Sequence, residues 1–123
     1  EIVALGSGFG GGIGQTRNTC GAVLGAAMAI GTMRGRKNPL AKETVQERIA
    51  ELNDEDGVYQ VFRRFVEEIE AKYGTIVCRE LAKGYEWEGK PRKKNCQEII
   101  GYCAELAVKY ALENQSFLQK EEL

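Results

Sequence analysis

The chain has 123 residues, 43% hydrophobic and 28% charged, the size and composition of one soluble globular domain. Its 17 basic and 18 acidic residues leave a formal charge of −1, which argues against a general nucleic-acid binder, because phosphate binding needs a basic excess. There is no histidine, which excludes imidazole catalysis, imidazole metal ligation and CxxCH haem attachment in this chain, and four cysteines are left as the soft metal ligands and ready redox groups.

Charge and glycine are unevenly spread. Before Arg34 the charged residues are Glu1 and Arg17 alone, and nine of the fifteen glycines fall there. This first quarter is expected at the centre of the domain or in a subunit interface. Residues 1–5 are apolar but too short to type. Residues 6–14 form a glycine-rich loop that matches GxGxxG from Gly6 to Gly11. A dinucleotide site needs a strand before that loop and another after the next helix, and residues 34–39 are no strand. The P-loop ending GK[ST] is missing too. The loop reads better as a turn needing positive φ at several positions. It also reads as one whose backbone N–H groups face a thiolate or another anion.

Residues 19–33 are good helix formers with glycine and predict a helix. Gly21 and Gly25, four apart among alanines, would let another helix approach closely. The apolar stretch from Ala22 to Ile30 is far shorter than the ~20 residues a membrane span needs. Asn38 before Pro39 reads as an N-cap with proline at the first helical position. The helix after it carries Val45, Ile49 and Leu52 on one face. Val58, Phe62, Phe65, Ile69 and Tyr73 recur at helical spacing, with Gly74 as the stop. A short helix is expected over 75–83 and a polar loop over 84–94, with the basic run of residues 90–94 solvated. The last helix starts at Asn95, with Glu98 completing a capping box. Its stripe is Ile99, Cys103, Leu106 and Tyr110. Pro39 and Pro91 fall in connections.

No alternating run suggests a sheet. The expectation is an all-α fold: a small helical bundle of about five helices with a glycine-rich loop, one domain over 1–123, residues 19–33 the most buried. So apolar a helix in so short a chain further leads us to expect a homodimer.

The placement of the cysteines is more informative than their spacing. Cys20 opens the helix over 19–33. Cys78 lies in the first turn after Thr75, beside Arg79. Cys96 follows Asn95 and the basic run. A helix N-terminus carries partial positive charge and free N–H donors, which lower a thiol's pKa and favour the thiolate. Cys103 occupies a core position, where a buried inert thiol is the default. It lies seven residues after Cys96, so the two share a face about 10.5 Å apart along the axis. That is too far for a disulfide, yet both could line a site large enough for a cluster. No CxxC pair supports a zinc ribbon or thioredoxin motif. Loosely spaced cysteines in a chain with its own core point to a reducing, cytoplasmic compartment.

Two segments, Ser7-Gly8-Phe9-Gly10-Gly11-Gly12-Ile13-Gly14 and Cys20-Gly21-Ala22-Val23-Leu24-Gly25-Ala26, carry a resemblance. Phe65-Val66-Glu67-Glu68, Cys78-Arg79-Glu80-Leu81 and Cys96 extend it over nearly the whole chain. The sequence resembles the redox-active proteins called the C-GCAxxG-C-C family. The resemblance implies an all-helical domain with four characteristic cysteines and a redox role. The family looks similar to a domain of the split-Soret cytochromes, which carries an iron–sulfur centre beside its haems. Haem does not carry over to a chain without histidine; the cluster is the expectation that remains. The family's first cysteine lies upstream of the glycine loop, so this chain is expected to lack the N-terminal part of the family domain. Cys20, Cys78 and Cys96 map onto the pattern, and Cys103 is outside it or substitutes for the missing one.

Two versions of the chemistry stay open. Cys20, Cys78 and Cys96 converge, with Cys103 as a possible fourth, to ligate an iron–sulfur cluster or another soft metal for electron transfer. Otherwise two of them cycle between dithiol and disulfide. Either version needs a redox partner protein. A cluster is expected to be lost from protein prepared in air. The alternative from another class is a non-catalytic helical binding or interaction module with inert buried thiols. A hydrolase or transferase is least supported, because no Ser, Cys or carboxylate has an evident base partner.

Overall fold

Residues 2–113 are described by the computed structural model, and every regular element among them is helical. In chain order these are α1 (Ile2–Leu5), α2 (Gly21–Arg34), α3 (Val45–Asn53), α4 (Val58–Tyr73), α5 (Cys78–Leu81) and α6 (Lys90–Leu112). The expected all-α bundle is the observed fold, with α1 and α5 single turns. The extended backbone pairing is one antiparallel bridge, Thr19 with Val77. No helix among the described residues is long and apolar enough to cross a membrane.

The core lies where α2, α4 and α6 meet. Val23, Ala26 and Ile30 come from α2, Val61, Phe65 and Ile69 from α4, and Ile99, Cys103, Leu106 and Tyr110 from α6. Phe65 and Ile69 are fully buried, each worth about 1.5–3 kcal/mol relative to exposure. Phe65 meets Tyr110 edge to face, with ring centroids 6.4 Å apart. As expected from the sequence, α2 is the least exposed of the longer helices, with four of its 14 residues exposed against 12 of 23 in α6, although the longer α6 supplies the most buried residues. Only one side of α2 faces α4 and α6; its glycine and alanine side borders a cavity.

Helix ends follow local hydrogen bonding, and two starts differ from the sequence reading. Gly74 ends α4 as expected, in the left-handed conformation with its N–H bonded to Glu70 O. Asn38, however, caps no helix. Its side-chain oxygen accepts from Leu40 N and turns the chain around Pro39. The cap of α3 is Thr44, six residues further on, whose hydroxyl accepts from Glu47 N and donates to the Glu47 carboxylate. Val45 and Ile49 stay exposed, so the expected apolar face of α3 is not part of the core. In the same way α6 begins at Lys90 rather than Asn95, with Pro91 in its first turn. The basic run of residues 90–94 is therefore helix, not loop. Asn95 donates to Leu81 O and ties α6 to α5.

Candidate functional site: three thiols on one cavity

The glycine-rich segment forms a left-handed turn. Gly11, Gly12, Ile13, Gly14 and Gln15 have φ between 58° and 71°, and Arg17 adopts 64°. A β-branched residue such as Ile13 is rarely found there, and each non-glycine member costs about 1–3 kcal/mol. Internal hydrogen bonds offset that cost. Gln15 N donates to Gly10 O, Arg17 N to Gly11 O and Asn18 N to Gly12 O. The N–H groups of residues 13–18 are all bonded within the loop, so that stretch does not present bare donors to an anion. The expectation of positive φ at several positions holds.

The turn returns the chain to run antiparallel to residues 76–79. Cys20 N donates to Ile76 O, Cys78 N to Asn18 O and Arg79 N to Arg17 O. This short ladder makes Cys20 and Cys78 diagonal neighbours. Two glycines permit the approach. A Cβ on Gly12 would lie 2.6 Å from Asn18 N, and one on Gly21 would lie 2.5 Å from Phe9 O. Gly21 therefore makes room for the loop, not for a second helix, and Gly25 faces open space.

Between the loop, α2, α5 and α6 lies a cavity of about 690 Å³, lined by Cys20, Cys78 and Cys96. Each thiol comes from a different element: Cys20 is the N-cap of α2, Cys78 opens α5, and Cys96 sits in the second turn of α6. All four cysteines of the chain are free thiols. Since α6 starts at Lys90, Cys96 is not in a first turn. The cation beside it is a side chain, Arg92, whose Nη1 donates to Cys96 Sγ at 3.6 Å. Arg92 Nε donates to the Trp87 carbonyl, and its guanidinium stacks 4.0 Å from the Trp87 ring centroid. Sequence reasoning missed Arg92. Its signal was its position four residues before Cys96 inside a basic run.

Burial pushes the Cys78 thiol above its ordinary value, and the nearby Cys20 and Cys96 add to the rise. Arg92 and Arg17 partly offset it. This reverses the expected lowering at a helix start. A four-residue helix has little dipole, and desolvation outweighs it. Cys103 is 1% exposed, and burial raises its thiol to about 11. It lies in the core, off the cavity wall, although Cys20 packs against that same core. Among the described residues, no three Cys, Asp or Glu side chains close on a common point as ligands of one metal ion would.

A protein-family profile described as "Putative redox-active protein (C_GCAxxG_C_C)" matches residues 1–110. No curated protein and no solved structure gives a significant match.

Proposed function

From the premise that the chain belongs to the C_GCAxxG_C_C redox-active family, we propose that Cys20, Cys78 and Cys96 are its redox centre and hold an iron–sulfur cluster for electron transfer. The observation that carries this reading is three thiols from three elements on one cavity wall. Thiolates are the usual ligands of such clusters. An all-sulfur donor set also disfavours calcium and magnesium.

The size of the cavity is compatible with a group of several atoms. No three ligating side chains among the described residues close on one ion. Diagonal neighbours across an antiparallel ladder have Cα atoms about 7–8 Å apart, so a disulfide between Cys20 and Cys78 would require the backbone to move closer. A cavity of about 690 Å³ has room for a polynuclear group.

When bound, a cluster supplies a one-electron couple. The chain's own residues do the rest. Gly12 lets the loop seat against Cys78. Arg92 sets a positive charge against the sulfur side of the cavity, which offsets thiolate charge. Phe9 and the small residues of α2 form an apolar wall that limits water. Cys103 is left out of the ligand set, because burial holds its proton and it lies off the wall.

A second reading rests on the ladder itself. Cys20 and Cys78 as a dithiol would lose two electrons and two protons to an oxidised partner and join as a disulfide. Anaerobic reconstitution with ferrous iron and sulfide separates the two. Visible absorption with bound iron and sulfide is expected. Colourless, iron-free protein would overturn the cluster and leave the dithiol.

A further inference from the structure

On the other side of Ala82, which borders both spaces, lies a second cleft of about 250 Å³. Arg17, Arg79 and Lys83 line it, together with Tyr85 and Trp87. We propose that this cleft binds the di- or triphosphate group of a small molecule. The inference does not rest on the redox reading.

Charge is the first argument. Three cations share the cleft wall, in a chain whose net charge is −1. Among the described residues no carboxylate lines it. Glu80, next in sequence to Arg79, accepts from the Thr75 hydroxyl instead. Glu86 and Glu88 belong to the same loop but not to the cleft. The ion pairs of the described residues involve Arg34, Arg36, Arg64 and Lys109, and none of the three cleft cations. Like charges held together without counter-charge repel one another, and a bound anion removes that repulsion.

Preorganisation is the second. The Arg17 guanidinium stacks 4.1 Å from the Trp87 ring centroid, on the ring that Arg92 also contacts. Arg79 Nη2 donates to Thr16 O, and Arg79 N donates to Arg17 O. The two arginines are thus fixed by the left-handed turn and by Trp87 before any ligand arrives, which lowers the entropy lost on binding. Guanidinium groups present planar forks that match phosphate oxygens, and Lys83 adds a mobile point charge. Three cations in so small a space suit a densely charged phosphate chain better than a single carboxylate. Tyr85, 42% exposed at the rim, offers a hydroxyl and a ring face to the remainder of the ligand.

Trp87 is the single tryptophan of the chain and lines the cleft, so its fluorescence reports occupancy. The experiment titrates the full chain with inorganic pyrophosphate at constant ionic strength, with citrate and sodium chloride as comparison anions. No metal is needed, so the result is independent of cluster loading. A saturable change with pyrophosphate is expected, with citrate at least tenfold weaker. Lys83→Glu and Arg79→Gln should each weaken pyrophosphate binding by about tenfold or more, the loss expected for one charge-assisted contact. The Lys83 side chain is exposed and makes no hydrogen bond or ion pair among the described residues, while its backbone N–H donates to Glu80 O whatever the side chain, so Lys83→Glu is expected to keep the fold. No saturable change beyond that of chloride would overturn the proposal. So would citrate binding equal to pyrophosphate, or binding unaffected by both substitutions.

Discussion

A Cβ placed on Gly12 would lie 2.7 Å from the Cβ of Cys78, closer than side chains approach in folded proteins. The bare backbone of the loop and a cavity-lining thiol are therefore in direct contact, and the glycine run and the second cysteine belong to one device. Gly12→Ala meets both this clash and a φ of +71°. It should cost about 2–4 kcal/mol. Gly25→Ala, in open space within α2, should instead stabilise by about 0.5–1 kcal/mol. Urea unfolding of the two variants checks this, and equal effects would contradict it.

Thiol exposure predicts an order of labelling. Cys20 and Cys96 are half-buried, Cys78 is buried with a raised thiol, and Cys103 is 1% exposed with its thiol at about 11. In metal-free native protein at neutral pH, Cys20 and Cys96 should react first, Cys78 more slowly and Cys103 after denaturation. Mass spectrometry of timed alkylation gives the order. Prompt labelling of Cys103 would show that the core opens.

Arg92 is expected to tune the sulfur site. Arg92→Gln removes the contact to Cys96 Sγ and one of the cations that hold down Cys78. The Cys78 thiol should move further up, and alkylation at Cys78 should slow at neutral pH while keeping its alkaline limit. Unstacking from Trp87 should shift the tryptophan emission in the same variant. A pH profile identical to that of the unaltered protein would remove Arg92 from the site.

The link between α4 and α6 carries a pH dependence. Lys109 and the Tyr110 hydroxyl both donate to Glu68, at 3.0 and 2.8 Å, and hold its carboxyl below the usual carboxylate range, Lys109 most strongly. A folded pKa below the unfolded one gives a contribution that is complete above the unfolded value of about 4.3 and lost as pH falls through the folded value. Acid should therefore destabilise the unaltered protein more steeply in that window than Glu68→Gln. Parallel unfolding curves across the window would contradict this.

Much of the helical architecture was legible in the sequence, because apolar spacing in α4 and the second half of α6 is strict. Val58, Phe62, Phe65, Ile69 and Tyr73 in α4 and Ile99, Cys103, Leu106 and Tyr110 in α6 read as helical stripes; Val58, Phe62 and Tyr73 are half-buried, the others lie in the core, and the core residue Val61 falls outside the stripe. Helix starts were less legible, because several capping signals compete. Thr44 with Glu47 outweighed Asn38 with Pro39, and Pro91 outweighed Asn95 with Glu98. The second of these moved Cys96 out of a first turn and hid Arg92. The grouping of Cys20 and Cys78 depends on a two-stranded contact between residues 58 apart, which no local pattern announces. The left-handed turn was foreseen at its glycines, but Ile13, Gln15 and Arg17 share the conformation because loop hydrogen bonds hold them there.

The proposed redox centre requires that Cys20, Cys78 and Cys96 act together. Single Cys→Ser variants at these positions and at Cys103, reconstituted anaerobically with ferrous iron and sulfide, test it most directly through bound iron, sulfide and visible absorption. Colour and iron are expected in the unaltered protein and in Cys103→Ser, and loss of both in each of the other three. Colour and iron retained in the Cys20→Ser, Cys78→Ser and Cys96→Ser variants, or lost only in Cys103→Ser, would contradict it.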